Sequence, residues 1–267
     1  MLRLLINLDR SPDRLKFMQK ELSALGVQYE RVTAIDGQTL SNKKIQSLTP
    51  YQYSKSKLWF PYKLSKAEYA CFLSHRKCWK KLIESPEEYA LILEDDIKFI
   101  PDTIAFFKNS DWIPNDVHLI QLHAPLVPQL FQVKKLNIPI KGNPSYKLYE
   151  IVHPTANGTP AYIISKTAAK ILLSKSLQIA APIDEFLFSP KSPIRRFVNF
   201  YKLDPGLGYQ IDTPSTIVTS PRNRSKPLLC RFHPFSIWLK LYITFLKLAY
   251  TKKKTFCTLL NQNIFSP

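Results

Sequence analysis

Leu2-Arg3-Leu4-Leu5-Ile6-Asn7-Leu8-Asp9-Arg10-Ser11-Pro12-Asp13-Arg14 opens the chain and, read on to Asp36-Gly37, decides the fold. Leu2 to Leu8 is an apolar run of strand length. Ser11-Pro12-Asp13 then reads as helix cap, first-turn proline and an acid placed to suit the helix dipole. Leu15, Met18, Leu22 and Leu25 recur at helical spacing, and Gly26 is placed to end the helix. A second β-branched stretch, Val27 to Ile35, closes at Asp36-Gly37. Strand, helix, strand in this order makes a parallel unit, and parallel units bind ligands at the carboxyl ends of their strands. The loop Asp9 to Arg14 and the turn Asp36-Gly37 are therefore predicted to lie side by side at a crevice. A helix start flanked by Arg10 and Arg14 is a seat for a diphosphate or an ordinary helix start with solvated arginines. The glycine fingerprint of dinucleotide folds is absent, which disfavours a dehydrogenase.

The strongest local chemistry lies further along. Tyr89-Ala90-Leu91-Ile92-Leu93 is an uninterrupted apolar strand of the kind buried on both faces, and it runs directly into Glu94-Asp95-Asp96. Like charges about 4 Å apart at an effective dielectric near 20 repel by roughly 4 kcal/mol. A fold keeps such a trio where a hard divalent cation neutralises it, and Mg²⁺ or Mn²⁺ prefers oxygen ligands of this kind. The competing reading is a solvated acidic turn.

Around that strand, Ser65-Lys66-Ala67-Glu68 has capping-box spacing and opens a helix with Cys71, Ser74, Cys78 and Leu82 on one face and His75 one position round. His75 is open to a structural or a catalytic role. Gln38 to Leu64 reads as an aperiodic, lysine-rich surface excursion. Val117 to Leu122, Tyr146 to Val152 and Ala161 to Ile164 read as strands, with a proline-rich connection from Pro125 to Pro144. The turn Asn157-Gly158-Thr159-Pro160 leads into the third of these, and Ser165 caps a helix from Lys166 to Ser174. In Pro182-Ile183-Asp184-Glu185-Phe186, two acids sit in an apolar setting where burial raises a carboxylate pKa and suits it to general-base work. Asp184 is equally readable as a helix cap.

The chain has 267 residues, 45% of them hydrophobic, enough for a substantial core. Lys and Arg number 38 against 20 Asp and Glu, a formal +18, so an anionic partner is expected. Nine of the basic residues and none of the acids lie between Pro221 and Pro267, so this stretch holds half the excess. Within it, Phe235 to Tyr250 has twelve apolar or aromatic residues out of sixteen. On a helix, Ser236, Lys240, Thr244, Lys247 and Thr251 fall within an arc of about 80°. Residues 221–267 are therefore read as a basic amphipathic membrane-association segment, its helix lying in the interface and Lys252-Lys253-Lys254 meeting anionic headgroups of the inner leaflet. The alternative is a helix docked on the main domain. Four cysteines without C-x-x-C spacing and an N-terminus without a secretory pattern lead to a cytoplasmic expectation, peripheral to the inner face of the cytoplasmic membrane.

Read together, these pieces resemble glycosyltransferase family 25, the bacterial lipooligosaccharide galactosyl- and glucosyltransferases. The matching stretches are Ile6-Asn7-Leu8-Asp9-Arg10-Ser11 with Arg14, Ala34-Ile35-Asp36-Gly37, Glu68-x-x-Cys71-x-x-Ser74-His75, Ala90 to Asp96, Gly158-Thr159-x-Ala161-Tyr162 and Pro182-Ile183-Asp184. Ala67 and Ala70 stand where the family commonly has glycine. The resemblance implies an α/β, GT-A-like nucleotide-sugar-binding fold with a mainly parallel central sheet over residues 1–220. It implies a UDP-hexose donor, galactose ahead of glucose, and a divalent metal, usually manganese. It also implies inverting transfer to a lipid-linked lipooligosaccharide or lipopolysaccharide acceptor. Mapped onto this chain, Glu94, Asp95 and Asp96 hold the metal, Asp36 contacts the uridine and Arg10 and Arg14 the phosphates. Asn7, Asp9, Ser11, Ser74, His75, Gly158 and Thr159 line the donor pocket, and Asp184 is the base, with Glu185 as substitute. The rival classes are a metal-dependent nucleic-acid enzyme, disfavoured because the tail's charge is not laid out as a groove-reading surface, and a non-enzymatic membrane-surface protein, which leaves the acidic trio without a purpose.

Overall fold

In the computed structural model the described residues are 1–50, 63–125, 129–140, 142–153, 158–211 and 255–258. Strand β1 (Leu2–Asn7), helix α1 (Pro12–Ala24) and strand β2 (Glu30–Thr33) form the expected first unit, with β1 and β2 parallel. Helix α1 ends as its sequence dictates. Gly26 adopts φ 63°, its N–H bonds to the Ser23 carbonyl, and Val27 N–H reaches back to Leu22 at 2.9 Å, the double closure that a left-handed glycine permits. Ser11 occupies the cap position of α1, but its side chain makes no capping bond.

After β2, a 3₁₀ turn (Gly37–Thr39) and helix α2 (Asn42–Leu48) replace part of the expected surface excursion. The Ser41 hydroxyl caps α2 by accepting from Lys44 N, a signal hidden by the lack of a long apolar stripe. Helix α3 (Lys66–Glu84) starts with the expected capping box between Ser65 and Glu68. Strand β3 (Tyr89–Glu94) follows, then β4 (Ile97–Phe99), α4 (Thr103–Phe107), β5 (Leu119–Gln121) and β6 (His123–Ala124). Strand β7 (Gln129–Ile140) stands where the proline-rich connection was expected and forms a long antiparallel pair with β8 (Asn143–His153), which contains the expected strand Tyr146 to Val152. Prolines are tolerated there because the register slips repeatedly along the pair. The chain continues through β9 (Ala161–Ser165), α5 (Lys166–Lys175), α6 (Ile183–Phe188), β10 (Phe200–Asp204), β11 (Gly208–Gln210) and β12 (Thr255–Thr258).

Among the described residues, nine strands form one mixed sheet in the order β12-β7-β8-β10-β5-β9-β3-β1-β2, and β4, β11 and β6 form a small second sheet. The edge that bears the first unit is parallel, β3 to β1 to β2. Strand β9 then enters antiparallel between β3 and β5. Alternation along the central strands feeds two apolar layers. Leu4, Ile92 and Tyr162 face one side, packed with Phe72 and Trp79 of α3, Leu172 of α5 and Phe186 of α6. Leu5, Leu91 and Leu93 face the other, with Met18 and Leu22 of α1 and Phe106 of α4. Helices on both faces bury Ala90 to Leu93 of β3 and leave its carboxyl end as the place where polar groups gather.

The helix expected over Phe235 to Tyr250 lies outside the described residues. No helix among the described residues is long and apolar enough to cross a membrane.

Candidate active site

Residues from β1, α1, α3, β3, α6 and β11, with the loops after β2 and before β9, come together beyond Leu93. The loop after β1 and the loop after β2 do lie side by side: Ala34 N–H bonds to the Asn7 carbonyl, and Arg10 Nε pairs with Asp36 Oδ2 at 2.7 Å. The Gln38 amide, more than Arg10, holds the Asp36 carboxyl below its ordinary pKa. Helix α3 clamps this loop. The Ser74 hydroxyl accepts from Ile35 N–H and donates to the Ala70 carbonyl, both at 2.8 Å. Ser74 therefore positions the Asp36 turn from a buried place. Gly37 lies against the backbone at the start of α3, where a Cβ would stand 2.8 Å from both Cα and N of Ala67. Gly37→Ala is expected to cost roughly 1–3 kcal/mol, because backbone rather than a flexible side chain must give way. Denaturant midpoints of the two proteins check this, and equal midpoints would mean that the loop has room to spare.

The three consecutive acids divide between two environments. Asp95 Oδ2 accepts from Asn7 Nδ2 at 2.7 Å, and Asp95 Oδ1 lies 2.9 Å from Arg14 Nη2. The same Arg14 nitrogen reaches Asp96 Oδ2 at 2.5 Å, and Gln210 Nε2 donates to that oxygen at 3.0 Å. Asn7 is fully placed: its amide nitrogen also donates to the Ser11 carbonyl, and its oxygen accepts from Arg31 Nε. Asp9 is exposed and pairs with Arg31. Glu94 turns the other way, toward α3 and the start of β9. Its Oε1 accepts from the Thr159 hydroxyl and lies 3.3 Å from His75 Nε2. Burial raises the pKa of Asp95 against the pull of Arg14 and Asn7. Burial first and Glu94 second push Asp96 up to about 6. For Glu94, burial is outweighed by His75, Thr159 and Arg14, and the carboxyl is held below its ordinary range.

Besides His75 Nε2, two buried polar atoms here lack a hydrogen-bond partner among the described residues, Asp96 Oδ1 and Arg14 Nε. One is an acceptor suited to a cation and the other a donor suited to an anion. A buried group of this kind costs about 1–3 kcal/mol unless a ligand satisfies it. The donor set at this end of β3 is chemically suited to a divalent cation, and Asp96 Oδ1 is the carboxylate oxygen left free to meet one. Asp95 is already engaged on both oxygens.

Asp184 reaches the site from α6. The residue in the cap position is Pro182, so Asp184 lies in the first turn and the capping reading is set aside. Its Oδ1 accepts from Glu185 N–H, and its Oδ2 lies 3.4 Å from Gly158 N. Burial raises its pKa, and Glu94 adds to the rise against those two backbone bonds. Gly158 takes φ 84°, and its carbonyl accepts from Gln121 Nε2 at 3.0 Å. Glu185 is the less enclosed acid, also raised by burial.

Sequence reading missed the buried polar line behind Gly158. Lys202 Nζ donates to Gln121 Oε1 at 2.8 Å and to the His123 carbonyl at 2.7 Å, and burial lowers its pKa to about 7. Gln121 within Leu119 to Leu122, and Lys202 within Phe200 to Leu203, are polar residues at interior positions of apolar strands, and that was the available signal.

Comparison with known proteins agrees with this assembly. The family model described as glycosyltransferase family 25 (LPS biosynthesis protein) matches residues 1–187. A glycosyltransferase 25 family member from Drosophila pseudoobscura pseudoobscura is 27% identical over 194 residues, covering 68% of this chain and 29% of the relative. Procollagen galactosyltransferase 1-A from Xenopus laevis is 28% identical over 217 residues, covering 78% and 34%. The lipooligosaccharide biosynthesis protein lex-1 of Haemophilus influenzae is 28% identical over 156 residues, covering 55% and 50%. The chain thus spans about a third of the length of the two animal relatives and half of the Haemophilus one. A solved glycosyltransferase involved in glycosylation of the major capsid of PBCV-1 superposes with a TM-score of 0.40 at 13% identity, over 80% of this chain and 93% of its own. With the family pattern running from the first strand to the Asp184 helix, this chain belongs to glycosyltransferase family 25.

Proposed function

We propose that the chain transfers a hexose from a UDP-sugar to a lipooligosaccharide or lipopolysaccharide acceptor with inversion at the anomeric carbon, galactose being favoured over glucose. The observation that carries this reading is the unpaired Asp96 Oδ1 beside the unpaired Arg14 Nε at the end of β3. The names of the Haemophilus and Xenopus relatives support the acceptor class and the favoured sugar respectively.

A Mn²⁺ or Mg²⁺ ion held by Asp96, with Asp95 beside it, would supply charge neutralisation at the diphosphate leaving group. Arg14 stands between the two aspartates and presents its guanidinium to the same oxygens. Arg10 and Asp36, paired at the outer rim, receive the remaining phosphate and the nucleoside. Asp184 takes the proton from the acceptor hydroxyl as it attacks, and Glu185 is the substitute. Gly158 N–H and Glu185 N–H orient the Asp184 carboxylate. Residues 221–267, apart from Thr255–Thr258, which pair with β7 in the sheet, attach this catalytic unit, residues 1–220 in a GT-A-like arrangement, to the anionic inner face of the cytoplasmic membrane, where a lipid-linked acceptor is presented.

The test is thermal unfolding of the full chain with UDP and Mn²⁺, singly and together. Saturation at about 100 times Kd stabilises by roughly 2.7 kcal/mol. A rise in midpoint with both ligands and little with UDP alone is expected, whereas identical midpoints under all conditions would overturn the reading. Released UDP, measured with UDP-galactose and UDP-glucose in parallel, then decides the sugar.

A further inference from the structure

We infer that Cys71, His75 and Glu94 form a second cation site, distinct from the Asp95–Asp96 side of the trio and suited to a borderline-soft divalent ion such as Zn²⁺. Cys71 and His75 are four apart on α3 and so project from one face of the helix. The Cys71 sulfur, a His75 ring nitrogen and a Glu94 oxygen all lie within 4.8 Å of one another. A tetrahedral ion with bonds of about 2.0–2.3 Å spans ligand atoms at such separations after small side-chain shifts.

His75 supplies the independent sign. It is 0% exposed, its Nε2 has no hydrogen-bond partner among the described residues, and that atom is aimed at Glu94. The other ring nitrogen, Nδ1, is 2.9 Å from the Tyr162 hydroxyl, which itself accepts from Trp79 Nε1 at 3.0 Å. An imidazole fixed through one nitrogen and unsatisfied at the other is the usual arrangement of a metal-binding histidine. Cys71 and Glu94 are only partly buried. The donor set also discriminates. A thiolate and an imidazole favour Zn²⁺ over Mg²⁺ or Mn²⁺, which prefer the oxygen-only Asp95–Asp96 side. Three protein ligands leave the fourth tetrahedral position to water. On binding, the Cys71 thiol releases its proton to solvent as the sulfur–metal bond forms, and His75 binds as neutral imidazole with its remaining N–H directed to Tyr162.

Co²⁺ reports thiolate ligation spectroscopically and Zn²⁺ displaces it. The full chain, reduced, is titrated with Co²⁺ alone. One equivalent is expected to give a thiolate-to-cobalt charge-transfer band that Zn²⁺ removes, with about one proton released per ion. Cys71→Ser is expected to lose the band while its far-ultraviolet circular dichroism is unchanged, and Tyr162→Phe to weaken Zn²⁺ affinity about 10- to 100-fold. In the unaltered protein, Zn²⁺ is expected to slow alkylation of Cys71 at least about tenfold, read by peptide mapping. Cobalt bound without a thiolate band, a band that persists in Cys71→Ser, or alkylation of Cys71 indifferent to Zn²⁺ would each overturn the site.

Discussion

Asp96→Ala is expected to abolish hexose transfer, by about 10³-fold or more, without unfolding the protein. The size follows from the role: charge stabilisation at a leaving diphosphate is worth several kcal/mol, and each 1.36 kcal/mol is tenfold in rate. The intact fold follows from the electrostatics. Asp96 is a group whose ionised form the folded state disfavours, with its pKa pushed up to about 6, chiefly by burial and then by Glu94. Removing it relieves repulsion in the trio, and Arg14 keeps Asp95 as a partner. A melting midpoint at or above that of the parent, together with background release of UDP, is the expected pair of readings. Full turnover in a folded Asp96→Ala protein would remove the centre of the mechanism.

Asp184→Asn carries the second large effect. A positioned general base contributes about 10²–10⁴-fold, so kcat is expected to fall by at least 10²-fold with KM for the donor little changed. Asn keeps the shape and its oxygen still accepts from the Gly158 or Glu185 amide, so the loss reports the proton rather than the scaffold. Burial raises the Asp184 pKa in the folded protein. The base is therefore inactivated by protonation at a higher pH than an ordinary aspartate, and kcat/KM falls as pH drops through that raised value. Asp184→Asn removes this acid limb from the residual activity. A decrease of less than about tenfold would move the assignment to Glu185, whose own variant then supplies the comparison.

The first strand-helix-strand unit, the capping box of α3 and the acidic end of β3 were legible because each rests on local rules: periodicity, caps and a buried apolar run. Legibility stopped at β7. Most of β8 was read as the strand Tyr146 to Val152, but its pairing with β7 is broken in register and interrupted by Pro139 and Pro144, so β7 shows no clean alternation. The site was read as one carboxylate trio, yet Glu94 faces α3 while Asp95 and Asp96 face Arg14. Spacing alone cannot reveal that division, because Glu94 is the last residue of a strand and the next two belong to a turn. Ser74 fitted the family motif as a pocket residue, but its two hydrogen bonds are to backbone, a role visible only once Ile35 is beside it. The i, i+4 relation of Cys71 and His75 was present in the sequence; its third member arrives from another element.

Strand β9 runs opposite to its neighbours β3 and β5, so the residues just ahead of it, Gly158 and Thr159, stand level with the ends of strands laid down far earlier. During synthesis, Glu94 therefore emerges about 65 positions before the hydroxyl that holds it, and Asp184 later still. A nascent chain that stops short of α6 has Glu94, Asp95 and Asp96 but lacks Asp184, the base of the proposed mechanism. Fragments ending before Phe188 are accordingly expected to be inert, however well their first three strands associate.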